Sequence, residues 1–232
     1  IKGYIKHYLN KILYSLVFKR IPISTYIITV SKYWQNYFKS LGYFNTKLIY
    51  NSFDFKKYKR SKRDLNLFRK KYAINTPFIY IGNCQKSKGV VEVYHSLKDA
   101  GYTLITSGQK QIDLPITNLN LNDYDYITML YLSDITITMS KFKEGWNRTA
   151  HESMLCGTPI IGSGLGGMGE LLTNSNQIIC NDLSKLSYYV NYVYDNYDDL
   201  QMHAMEYSTQ FKFSLENFKN NWQNIINEIK NL

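Results

Sequence analysis

Four short runs limit what this chain can fold into: FIYIG (78–82), YTLITSG (102–108), ITITMS (135–140) and TPIIGSG (158–164). Each is rich in β-branched or aromatic residues, and each ends in glycine or serine. Between them lie stretches with helical character, VVEVYHSLKDAG (90–101) and DYDYITMLYLSD (123–134), and a further helix start near Arg148. Alternation of this kind predicts an α/β fold, a Rossmann-like parallel sheet with helices on both faces. In such sheets the ligand sits at the carboxyl ends of the strands. A shorter β-α-β unit precedes the four runs: TYIITVS (25–31) as a strand, SKYWQNYFKSLG (31–42) as a helix opened by Ser31 and closed by Gly42, and KLIYN (47–51) as a strand. QIICN (177–181) adds a last strand, and two helices, around 183–209 and 214–232, close the chain.

With 232 residues, 44% of them hydrophobic, the chain can bury a sizeable core. Cys84, Cys156 and Cys180 show neither paired nor metal-ligand spacing, so no disulfide framework and no zinc site is expected. A cytoplasmic setting follows as the default, and no apolar run is long enough to span a bilayer. Charge is uneven: residues 1–75 hold seventeen Lys and Arg against two acids, leaving eleven against sixteen for the remainder. The basic third predicts an anionic partner, such as a membrane surface or nucleic acid, or else a lysine-rich solvated face. Residues 1–19 place Ile5, Leu9, Ile12, Leu13 and Leu16 on one helical stripe. That amphipathic helix can pack on its own domain or lie on a membrane.

The four strand ends run into NCQKSKG, QK, KFKEGWN and LGGMGE. Glycine-rich turns between strand and helix let backbone N–H groups approach phosphate oxygens, with the helix dipole adding about half a positive charge. Lys88 stands at one turn. Glu144 and Glu152 flank another, with Asn147, Arg148 and Thr149 forming the helix start between them. A carboxylate is a strong acceptor for the two hydroxyls of a ribose, so this pair fits a ligand lying between them.

VSKYWQNYFKSLG, KLIYNSFDF, FIYIGNCQKSKG, LYLSDITITMSKFKEGWNRTAHESMLCGTPIIGSGLGGMGEL and FSLENFKNNWQNII together resemble the ordered motifs of the retaining, metal-independent GT-B glycosyltransferases. The resemblance implies a nucleotide-sugar site in a domain spanning 78–213, built from Gly82, Asn83, Lys88, Gly108, Asn147, Arg148, Thr149, Glu152, Gly166 and Gly167. Glu152 would grip the ribose, Glu144 would face the donor sugar and Lys88 would neutralise the diphosphate. Lys88 and Glu144 would be the catalytic pair, with no metal and no cofactor beyond the donor. Two positions depart from the family pattern. Asn83 stands where an arginine is usual, with Lys86 or Arg148 as its substitute, and Asn147 stands where a glycine is common.

The resemblance also divides the chain. Residues 1–53 would form a truncated, partial N-terminal β-α-β lobe on the acceptor side, 54–77 a basic linker and short helix, and 214–232 a C-terminal helix returning toward that lobe. A complete member of the family is about one and a half times as long, so the chain is expected to be a fragment, a minimal enzyme, or one subunit completed by a partner chain or dimer. The expected acceptor is a saccharide, a lipid-linked sugar or a protein, and base recognition is expected in the loop at 108–120. His95, His151 and His203 are expected to be structural or exposed, and His7, on the first helix, occupies no recognisable motif position. Two alternatives stay open: a non-catalytic nucleotide-sugar-binding subunit, and a basic membrane- or nucleic-acid-binding module.

Overall fold

A computed structural model describes residues 20–231. The amphipathic stretch at 1–19, with His7, lies outside the described residues. The first described unit is a parallel pair, β1 (Ile27–Thr29) and β2 (Thr46–Leu48), joined through α1 (Lys32–Ser40). Ser31 caps that helix by accepting from the Trp34 N–H, and Gly42, at a φ of 90°, turns the chain out of it. The second strand starts one residue earlier than KLIYN suggests and is shorter. After Ile49 N–H donates to the Thr29 carbonyl, Tyr50 leaves the pairing for contacts elsewhere.

A 3-10 turn at Phe55–Tyr58 and α2 (Lys62–Tyr72) fill the basic stretch. Ser61 and Asp64 form a capping box at the start of α2, which gives this highly charged segment a defined helix origin. The large sheet follows: β3 (Ile79–Asn83), α3 (Val90–Leu97), β4 (Leu104–Ser107), β5 (Thr117–Leu119), α4 (Asp123–Leu132), β6 (Ile135–Thr138), α5 (Arg148–Leu155), β7 (Ile160–Gly162), α6 (Gly167–Asn174) and β8 (Ile178–Ile179). Three helices close the chain rather than the two expected: α7 (Leu186–Asp195), α8 (Tyr197–Ser208) and α9 (Leu215–Lys230), because the chain leaves helical geometry at Asn196 and splits the 183–209 stretch.

All six large-sheet strands are parallel, in the order β5-β4-β3-β6-β7-β8. Because successive side chains point to opposite faces, the sheet builds two cores. Tyr80, Ile105 and Ile160 join Met129, Met154, Leu171 and Ala204 on one face. Ile79, Ile81, Ile135, Ile137 and Ile161 join Val90, Val93, Leu186 and Val190 on the other. The α/β expectation, with helices on both faces, is therefore met. β5 is the departure: it runs through the segment expected to be a base-reading loop. Its sequence, TNL, carries one buried apolar residue, so an edge strand of this kind leaves no hydrophobic run to read.

Strand order reverses between β3 and β6, which opens a crevice at their carboxyl ends. The two lobes are tied at the back. Phe53 N–H donates to the Phe213 carbonyl at 2.9 Å, and α9 reaches the small sheet through Lys47 and Glu228, 2.7 Å apart. His151 is fully buried there, stacked on Phe53 with ring centroids 4.1 Å apart. Its Nδ1 accepts from Trp146 Nε1 at 3.2 Å and its Nε2 lies 3.1 Å from the Ser208 carbonyl. Burial pushes its pKa down to about 3, so it is a neutral packing group. His95 is exposed, and His203 meets the Asn176 side chain.

Candidate functional site

The cleft lies where β3 and β6 part, and its lining comes from the turns at their ends. Gly82, Asn83, Lys88, Thr138, Ser140, Asn147 and Thr149 surround about 50 Å³ of open space. Gly82 sits at a φ of 89°, a conformation that favours a residue without a side chain. Asn83 is fixed from behind: its Oδ1 accepts from Tyr80 at 3.1 Å and from Ser107 at 3.3 Å.

Lys88 reaches across the cleft mouth to Glu144, Nζ to Oε1 at 2.8 Å. Ser140 donates to the same oxygen at 2.5 Å. Glu144 is 8% exposed, and these two partners satisfy its buried oxygen. Lys88 and Ser140 line the cleft and Glu144 stands behind them, so a ligand with its own negative charge would compete with Glu144 for Lys88. Gly89 makes the approach possible. A Cβ there would collide with the Met139 carbonyl, so only glycine lets the Lys86–Lys88 turn pack against the end of β6.

Asn147 caps α5, accepting from the Ala150 N–H at 2.8 Å. The first N–H groups of any helix lack an intrahelical acceptor, so the start of α5 offers donors to the cleft. Thr149 holds Tyr126 at 3.3 Å. Glu152 lies one turn deeper. Its Oε1 accepts from Tyr58 at 3.4 Å and from Arg148 at 3.1 Å. Burial raises its pKa, and the Arg148 charge offsets part of that rise.

Four expected positions have other partners. Arg148 does not line the cleft: it pairs with Glu152 and lies 4.8 Å over the Phe53 ring, so it is not placed to stand in for an arginine at Asn83. Gly108 donates its N–H to the Leu119 carbonyl, which orders β5 beside β4. Gly166 and Gly167 serve close packing, since a Cβ on either would strike the backbone of Glu144 or Gly145. The Gly167 N–H donates to the Glu144 carbonyl at 2.8 Å and is thus already used.

The sequence reading missed Thr138 and Ser140 as lining residues, although their hydroxyls end the third run. It also missed Trp34, whose Nε1 donates to the Glu144 carbonyl at 2.8 Å. Glu170 was missed as well, and it accepts from Lys32 N–H at 2.6 Å and from Tyr50 at 2.5 Å. Among the described residues no group of three or more His, Cys, Asp or Glu could hold a metal ion, and no helix is long and apolar enough to cross a membrane. The three cysteines are buried and free.

No family model matches the chain. Anabaena Alr3699/HepE, solved in complex with UDP-glucose, superposes with a TM-score of 0.76 at 21% identity, covering 89% of this chain and 64% of that one. The fold is that of the GT-B glycosyltransferases. A glycosyltransferase from Rickettsia africae gives a TM-score of 0.74 at 18% identity, covering 89% of this chain and 64% of its own. Among curated proteins, N-acetyl-alpha-D-glucosaminyl L-malate synthase of Bacillus anthracis is 27% identical over 55% of this chain and 38% of its own length. The chain therefore spans less than two thirds of the length of each of these proteins.

Burial makes Glu152 harder to ionise in the folded chain than in the unfolded one. The folded state holds the proton to higher pH, so stability is lost as pH rises through the folded pKa. Glu152→Gln is expected to raise the melting temperature by about 2 °C at pH 8 and to leave it unchanged at pH 4. A lower melting temperature at pH 8 would mean that the pair with Arg148 outweighs burial.

Proposed function

We propose that the chain binds a nucleoside diphosphate sugar in the β3/β6 cleft and transfers the sugar to an acceptor with retained configuration and without a metal. The observation that carries this reading is Lys88 Nζ, 2.8 Å from Glu144 across a cleft at the reversal of strand order and opposite the start of α5. The likeness to a fold seen with UDP-glucose supports the ligand class. Retention and metal independence rest on the motif resemblance.

In the proposed reaction the bond from the sugar C1 to the diphosphate oxygen breaks, and its electron pair leaves with the diphosphate. An acceptor oxygen bonds to C1 on the same face, and the acceptor's proton departs with the leaving group. Lys88 and the N–H groups of α5 would stabilise the charge growing on the diphosphate. Glu144 would then face the sugar hydroxyls, and Glu152 the ribose. Positive charge already fixed in the cleft is what makes a metal dispensable in this reading.

A second reading is a nucleotide-sugar-binding subunit that transfers nothing until a partner supplies an acceptor domain. We also propose a cytoplasmic setting on an anionic membrane surface, supported by the exposed Lys56, Lys57, Lys59, Lys62, Arg63, Lys70 and Lys71. The acceptor class proposed is a saccharide, a lipid-linked sugar or a protein.

A panel of uridine, guanosine and adenosine diphosphate sugars, assayed for binding by thermal shift and for sugar release, tests the main reading. Lys88→Ala should lower turnover of the preferred donor about a hundredfold with the fold intact. Wild-type turnover in that variant would refute the site, and binding without release would favour the second reading. Cosedimentation with phosphatidylglycerol vesicles should occur and should weaken with salt. Absence of binding at low salt would remove the membrane from the account.

A further inference from the structure

Glu144 is held through its backbone as well as its side chain, and the holding groups come from both lobes. Its carbonyl accepts two hydrogen bonds at 2.8 Å, one from Gly167 N–H at the start of α6 and one from Trp34 Nε1 on α1. Glu170, in the first turn of α6, reaches the N-terminus of α1. Its Oε2 accepts from Lys32 N–H at 2.6 Å and Tyr33 N–H at 3.4 Å, and its Oε1 accepts from Tyr50 at 2.5 Å. Those two N–H groups belong to the first turn of a helix, where a carboxylate also meets the positive end of the dipole. The contacts close a ring: Glu170 holds the start of α1, α1 carries Trp34, Trp34 holds Glu144, and Gly167 leads back to Glu170.

The ring is tightly packed. A Cβ on Gly167 would lie 2.8 Å from Ser31 Oγ, and one on Gly145 would lie 3.3 Å from a Val30 methyl. The small lobe therefore touches the loop that carries Glu144 without a spacer. Three residues on, Asn147 caps α5, so the placement of this loop also sets the start of that helix.

We infer that Trp34 and Glu170 are positioning residues for the reaction proposed above, fixing the backbone of Glu144 so that its carboxylate stays in line with Lys88 and Ser140. The inference rests on that reading of the cleft. Neither residue lines the cleft, so donor binding should survive their loss while the chemical step suffers. Misplacement of a reacting group by about an ångström can cost on the order of a hundredfold in rate, and loss of one of two carbonyl partners is a smaller disturbance.

Release of glucose from UDP-, GDP- and ADP-glucose is measured for the wild type, and the best donor is carried forward to Trp34→Phe, Glu170→Gln and the double variant. Each single variant should lower kcat about tenfold with donor KM within about threefold, and the double variant should be little worse than either, as members of one unit behave. Wild-type kcat in both single variants overturns the inference, as does a kcat loss matched by an equal rise in KM. If Glu170→Gln does not fold, Trp34→Phe decides alone, since it keeps an aromatic ring while removing the indole N–H together with its five-membered ring. A wild type that neither binds nor cleaves any of the three donors defeats the underlying reading, and this inference falls with it.

Discussion

Lys88 and Glu144 face each other at 2.8 Å across the mouth of the β3/β6 cleft, and each is delivered there by a different turn. Lys88 arrives on a 3-10 turn that can lie against the end of β6 because Gly89 has no side chain. Glu144 arrives on a loop whose backbone is pinned by α1 and α6. A nearly buried carboxylate oxygen without a partner is costly, so the pair makes the geometry of both turns matter. A diphosphate entering the cleft would offer Lys88 a more highly charged partner while Ser140 kept its hold on Glu144. On this account the ion pair holds Lys88 at the cleft, ready for an anionic ligand.

Most of the large sheet was legible because its signals are local. Runs such as ITIT and FIYI, bounded by glycine and serine, specify strands without reference to the rest of the chain. The caps of α1, α2, α5 and α9 were equally local, each set by a serine or asparagine. β5 was not legible, since TNL owes its strand to pairing with β4 rather than to its own composition.

The site was legible in part. Gly82, Asn83, Lys88, Asn147 and Thr149 converge on one cleft, as strand-end turns in a parallel sheet must. Arg148 was read as a cation for the ligand, yet its spacing of four from Glu152 already permitted the pair that forms. Gly166 and Gly167 were read as places of close approach to phosphate, whereas the close approach is to the Glu144 loop. Glycine reports that something comes near the backbone and does not say what. Trp34 and Glu170 act across 110 and 138 residues of sequence, and no local pattern encodes such a contact.

The same contacts join the small lobe to the large one at the point where the proposed chemistry takes place, so the lobes are coupled through the Glu144 loop as well as through Phe53 and α9. The most direct test is a crystal structure of the chain grown with UDP-glucose, GDP-glucose or ADP-glucose. The account predicts diphosphate oxygens about 3 Å from Lys88 Nζ and from the first N–H groups of α5, with the Glu152 carboxylate on the ribose. A nucleotide sugar bound elsewhere, with the Lys88–Glu144 pair unbroken, would contradict it.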